Sequence, residues 1–195
     1  GEHLLCKQGV AGSIPARSTS VLGSPRHRAW RPVPFSSGFL SMTLTVPAVG
    51  APAPGFTMNT TSGAEISLDQ FKGKKHVLLA FFPLAFTSVC TAEMCAFTED
   101  YAAFESKDVA VIPISVDAVP SLKAFKKSLN ATVEFASDFK REVSRAYGTL
   151  LEHTFFSNRA YFLIDKQGIL RWAHVEDTPG QRRENAEILA EIAKL

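Results

Sequence analysis

The chain has 195 residues, 46% of them hydrophobic and 21% charged, with 21 basic and 19 acidic side chains for a formal net charge of +2. That length and balance suit one ordinary domain with a tail, and they exclude wholesale disorder and a dedicated nucleic-acid binder, which carries a strong basic patch. The longest uncharged apolar run, Val77 to Phe86, is about half of what a membrane span requires, and three cysteines are too few and too oddly numbered for a secreted disulfide scaffold.

Residues 1–41 carry Lys7, Arg17, Arg26, Arg28 and Arg31 against Glu2 alone, are rich in Ser, Pro and Gly, and show no helical or strand period. They are expected to be disordered. They read either as an organellar transit peptide or as upstream sequence before a start at Met42; Cys6 is expected to be idle. The folded domain is expected over residues 42–195.

From Met42 the pattern becomes regular. An extended, proline-punctuated stretch from Val46 to Pro54 leads through a turn at Ser62-Gly63 to a short amphipathic stretch ending at Gly73. His76 to Phe82 is nearly continuous in apolar residues, the mark of a strand buried on both faces. Thr87 to Glu105 is helix-compatible, and Val109 to Val116 reads as a second buried strand. Pro120 opens a helix through Leu129, and Thr132 to Phe135 predicts a short strand. Asp138 is placed to cap a helix over residues 141–147, stopped by Gly148. Tyr161 to Asp165 and Ile169 to His174 form a hairpin around Lys166-Gln167-Gly168. A last helix is expected over residues 181–194, with Ala186, Leu189, Ile192 and Ala193 as its buried stripe. The alternation gives an α/β fold with a mixed central sheet flanked by helices.

The chemistry concentrates where the first buried strand ends, in Pro83-Leu84-Ala85-Phe86-Thr87-Ser88-Val89-Cys90-Thr91-Ala92-Glu93-Met94-Cys95. Open α/β sheets place ligands where a strand feeds a helix. Cys90 falls in the first helical turn, where free N–H groups and the helix dipole favour an anion, and thiolate is the reactive form of cysteine. Thr87 can offer its hydroxyl to the sulfur or to an oxygen beside it, and Pro83 stiffens the turn. A lone cysteine in an apolar stretch is more often inert core. What reverses those odds is the combination of Pro83, Thr87 and Cys90 and the resemblance it carries.

Spaced as Pro-x-x-x-Thr-x-x-Cys, these three residues resemble the active-site signature of the peroxiredoxins, and the resemblance extends over roughly Val46 to Leu195. The stretch Phe81 to Cys90 is most similar to the alkyl hydroperoxide reductase E type. The resemblance implies a thioredoxin-like fold and a thiol-dependent peroxidase for hydrogen peroxide, organic hydroperoxides or peroxynitrite. It makes Cys90 the peroxidatic cysteine, Thr87 its hydrogen-bonding threonine and Pro83 the shielding proline. Arg159 matches the active-site arginine and Glu93 the glutamate that positions it; surface charge and a helix-dipole acid are the bland readings of these two.

The Cys90-x-x-x-x-Cys95 spacing resembles the bacterioferritin-comigratory, or Q-type, peroxiredoxins, in which the second cysteine resolves the sulfenic acid. Five residues of helix rise about 7.5 Å, beyond the roughly 7 Å a disulfide spans, so this pairing needs the helix to unwind. Otherwise Cys95 is core and an outside thiol resolves. Phe86, Phe155 and Phe156 are expected in the core or a dimer interface rather than as a wall to Cys90. The implied partners are a peroxide and a thioredoxin-like or low-molecular-weight thiol reductant, in a homodimer in the cytoplasm, or in an organelle if residues 1–41 are a transit peptide. No cofactor, metal, nucleic acid or membrane is implied. Two rivals remain: a peroxide-sensing regulator that oxidises once, and a thioredoxin-fold copper metallochaperone, for which the cysteines stand one residue too far apart.

Overall fold

A seven-stranded mixed sheet organises residues 45–195, the part of the chain that this computed structural model describes; the expectations for residues 1–41, Met42 and Cys6 lie outside the described residues. Strands β1 (Thr57–Thr60) and β2 (Glu65–Ser67) pair as an antiparallel hairpin, followed by a 3-10 turn over Leu68–Phe71. Then come β3 (His76–Phe81), helices α1 (Ser88–Glu99) and α2 (Tyr101–Glu105), and β4 (Val109–Ser115). Helix α3 (Val119–Leu129), β5 (Ala136–Ser137) and α4 (Glu142–Ala146) follow. A separate small hairpin of β6 (Leu150–Leu151) and β7 (Phe156–Ser157) precedes β8 (Ala160–Ile164), β9 (Leu170–Val175) and α5 (Asn185–Ile192). The strand order is β2-β1-β5-β4-β3-β8-β9, with β3 parallel to β4 and antiparallel to β8. This is the mixed sheet flanked by helices expected from the sequence.

The continuous apolar run follows from the two faces of β3. Leu78, Ala80 and Phe82 join Val111, Tyr161 and Leu163 under Met94, Phe97, Phe125 and Ile188. Val77, Leu79 and Phe81 join Ile112, Ile114 and Phe162 against Phe56, Val143 and Tyr147 on the other face. Side chains of a strand alternate between faces, so two apolar faces require an unbroken apolar sequence.

Pro113 sits within β4, level with Ala80 of β3. The carbonyls of Asp108 and Ile114 are both taken from the β3 side, by His76 and Phe82. Pro113 therefore turns its missing N–H to the opposite edge, where β5 pairs only with Ile114 and Ser115.

Several elements differ from the sequence reading. The helix after β3 breaks at Asp100 (φ −94°, ψ 10°), whose carboxylate accepts a 2.9 Å bond from the Asn185 side chain. The strand expected over Thr132 to Phe135 lies instead at Ala136–Ser137, because Phe135 exchanges its backbone bonds with Thr61 rather than with a ladder. Asp138 does cap α4, but from a distance: its carboxylate accepts from the amides of Val143 (3.1 Å) and Ser144 (2.7 Å). The last helix starts at Asn185, behind a capping box of Glu184 and Glu187, and buries Asn185, Ile188 and Ile192. Ala186 and Ala193 of the expected stripe are exposed.

Candidate active site

The register of β3 against β8 brings the site together. Phe81 lies opposite Ala160, so the end of β3 and the residue just before β8 meet at the same end of the sheet. One end leads into the loop 83–87 and α1; the other is Arg159. The loop is held in place from β4: Asp117 accepts from the Ala85 N–H (2.8 Å) and from the Ser115 hydroxyl (2.9 Å). Pro83, its first residue, is buried, and Phe86 takes a left-handed conformation (φ 63°).

Thr87 is the N-cap residue of α1, and its carbonyl accepts the first helical bond, from Thr91 N–H. The amides of Ser88, Val89 and Cys90 consequently have no partner within the helix. Cys90 stands third in α1, 1% exposed, with a free thiol. Arg159, wholly buried, places Nη2 3.1 Å from Cys90 Sγ and 3.2 Å from the Pro179 carbonyl. Its Nη1 pairs with Glu93 Oε2.

Glu93 lies three residues beyond Cys90 on the same helical face, so one guanidinium reaches both. Burial pushes the Glu93 carboxyl up to about 6, although Arg159 and Tyr161 pull it down. Burial also works against the charge on Arg159, but the charges of Glu93 and Cys90 outweigh it and hold that guanidinium above its ordinary range.

Three of the predicted residues, Cys90, Glu93 and Arg159, thus converge in a buried cluster, and Pro83 is buried just past the end of β3. Thr87 lies at its rim, exposed, with its hydroxyl donating to Leu84 O at 3.0 Å rather than to the sulfur. Cys95 is buried further along α1, in the core cluster that also holds Met94 and Phe97, and is not joined to Cys90. Phe86 and Phe155 are 59% and 57% exposed, so of the two expected places, core or dimer interface, neither takes the core. Each has a left-handed backbone, and Phe86 rests on Phe125 with ring centroids 5.0 Å apart.

The sequence reading missed Tyr161, whose hydroxyl donates to Glu93 Oε1, and the Pro179 carbonyl on Arg159. A phenol inside a wholly buried strand needs a polar partner, and that was the available signal. Nothing in the sequence marks a backbone carbonyl.

The Cys90 sulfur thus lies in the first turn of α1 and within hydrogen-bond reach of a buried guanidinium, and both a helix N-terminus and a guanidinium attract the anions through which cysteine attacks electrophiles. This is the chemistry of enzymes that work through a thiolate. Residues 49–173 match the model of the AhpC/TSA family. Alkyl hydroperoxide reductase E of Mycobacterium tuberculosis is 38% identical over 138 residues, covering 70% of this chain and 90% of the relative. The putative peroxiredoxin bcp of Coxiella burnetii is 36% identical over 128 residues, 63% of this chain and 84% of the relative. The reduced 2-Cys peroxiredoxin of Plasmodium vivax superposes with a TM-score of 0.71 at 34% identity, over 75% of this chain and 81% of that one. The chain belongs to the AhpC/TSA family: it has the thioredoxin-like fold of the peroxiredoxins and is a thiol-dependent peroxidase.

Proposed function

We propose that Cys90 is the peroxidatic thiol of this peroxidase and that hydrogen peroxide and organic hydroperoxides are its substrates. The observation that carries the assignment is the 3.1 Å approach of Arg159 Nη2 to the buried Cys90 sulfur. The Cys90 thiolate attacks the peroxide; an S–O bond forms, the O–O bond breaks, and the leaving oxygen departs as alkoxide or hydroxide. The peroxide proton remains on the new sulfenic acid, and the leaving oxygen takes a proton from water. Arg159 stabilises the charge that moves from sulfur to the leaving oxygen. The Thr87 hydroxyl, whose proton is already given to Leu84 O, keeps its lone pairs to accept from the peroxide O–H. Pro83 shields the sulfur, and Glu93 holds Arg159.

A thiol then condenses with the sulfenic acid, releasing water and forming a disulfide that two electrons from a thioredoxin-like or low-molecular-weight thiol reductant return to thiols. In the reduced protein Cys95 is that thiol if the first turns of α1 unwind; an external thiol serves if they do not. The working unit in this reading is a homodimer, supported by the exposed aromatic surface of Phe86 and Phe155. The setting in this reading is the cytoplasm, or an organelle if residues 1–41 are a transit peptide. Among the described residues no helix is long and apolar enough to cross a membrane.

Stopped-flow oxidation of the reduced protein by hydrogen peroxide, with mass spectrometry of the products, tests the reading. Rapid oxidation should be lost in Cys90→Ser. Loss of two hydrogens, mapped to Cys90 and Cys95, identifies Cys95 as resolver; gain of one oxygen that persists identifies an outside thiol. Oxidation no faster than that of an ordinary thiol overturns the assignment.

A further inference from the structure

Tyr161 stands in the second position of β8, wholly buried, and the peroxidase cycle gives it no task. Its neighbours on that face of the sheet are apolar, including Leu78, Ala80 and Leu163, and a phenylalanine would suit them as well. The hydroxyl is what distinguishes it. That hydroxyl donates to Glu93 Oε1 and accepts from the Arg183 N–H at 3.1 Å. Burial and the nearby Glu93 charge hold the phenol far above its ordinary titration range, so it remains a donor.

The two oxygens of Glu93 are thereby divided: Oε2 takes the guanidinium of Arg159, and Oε1 takes the phenol. The last torsion of a glutamate is broad, so a carboxylate gripped by one donor can still swing. Gripped by two donors on opposite oxygens, it cannot. Arg159 needs such a stop, because its Nε has no partner among the described residues and its orientation rests on its two Nη groups. The segment beyond β9 adds to the same grip. Its Pro179 carbonyl takes Arg159 Nη2, and its Arg183 amide takes the phenol oxygen.

We infer that Tyr161 is a positioning residue of the peroxidase reaction: its hydroxyl locks the Glu93 carboxylate, and the locked carboxylate aims Arg159 at Cys90. The inference rests on the assignment of Cys90 and Arg159 made above. It goes beyond that assignment by adding a phenol to the arginine–glutamate pair.

The test is a double-mutant cycle read by the second-order rate of oxidation by hydrogen peroxide, with thermal melting as the check on folding. Tyr161→Phe should fold and react about tenfold more slowly, since a small misplacement of a catalytic group costs at least that much. In a Glu93→Gln background the same change should alter the rate by less than about twofold, because Tyr161 acts only through Glu93. A separate reading uses the unaltered active site with 3-fluorotyrosine placed at position 161. Its fluorine resonance should move when one equivalent of peroxide oxidises Cys90, because the phenol is bonded through Glu93 to the guanidinium that faces the sulfur. A full-speed Tyr161→Phe, a loss that multiplies with that of Glu93→Gln, or an unmoved fluorine resonance overturns the role of Tyr161. Cys90→Ser, run alongside, separates the two levels: if it oxidises as fast as wild type, the assignment of Cys90 itself fails.

Discussion

Asp117, just past the end of β4, accepts a 2.8 Å hydrogen bond from the backbone amide of Ala85, in the middle of the loop that delivers Thr87 and Cys90. The same carboxylate oxygen takes the Ser115 hydroxyl, and the Asp117 carbonyl takes the Ser137 hydroxyl at 2.6 Å. One residue therefore ties the active-site loop to two strands of the sheet. Asp117→Ala should leave the Ala85 amide unpaired and lower stability by about 1–3 kcal/mol, with a loss of peroxide reactivity of roughly tenfold. Urea unfolding and stopped-flow oxidation measure the two effects, and wild-type values for both would show that the loop holds itself.

Arg159→Met removes the guanidinium and strands Glu93 in the core. Breaking a buried pair from one side costs about 3–5 kcal/mol, and losing an electrostatic stabiliser costs roughly a hundred- to a thousandfold in rate. The stability loss should shrink in acid, where Glu93 takes up a proton. Denaturation at two pH values, together with the oxidation rate, checks both parts.

Glu93 should also leave its mark on the pH dependence of folding. Burial raises its carboxyl from 4.5 to about 6, so between these values the native state holds a proton that the unfolded chain has released. Its contribution to stability is then full below the lower value and declines as pH rises through the higher one, by about 2 kcal/mol in all. Glu93→Gln removes the slope. The unfolding free energy of wild type relative to the variant should fall across this window, and a rise would show that Arg159 and Tyr161, not burial, dominate the carboxyl.

Gly148 follows α4 with φ +66°, and a Cβ there would lie 2.7 Å from both Thr45 C and Val46 N. Gly148→Ala therefore adds a backbone clash to a strained conformation. A loss of about 1–3 kcal/mol is expected, read as a lower melting temperature, with the oxidation rate of the folded fraction unchanged.

The buried strands were legible because a short, nearly unbroken apolar run rich in β-branched and aromatic residues fits a strand covered on both faces. The stretch Pro83 to Cys90 was legible because its residues are contiguous. Arg159 was reached by resemblance alone, since only the antiparallel register of β3 and β8 sets it beside the sulfur. Tyr161 was hidden by the same register: in sequence it is one more large residue in an apolar strand. The break at Asp100 was invisible because Tyr101 and Phe104 continue the apolar spacing of α1. Thr132 to Phe135 looked like a strand because Val133 and Phe135 alternate into the core, and an extended segment bonded to a loop carries the same alternation as one bonded to a ladder.

Cys90 and the guanidinium that faces it are separated by 69 residues of sequence, and the groups that brace Arg159 extend to Arg183. During synthesis the cysteine leaves the ribosome long before its arginine exists. Contacts of such long sequence separation are slow to form, and a domain folds as a unit. The nascent protein thus carries an ordinary thiol through the stages when it is most exposed. With Cys90 as the proposed peroxidatic thiol, reactivity toward peroxide is expected only once β8 and the segment beyond β9 close the structure, so that a reactive sulfur would itself be a sign of a completed fold.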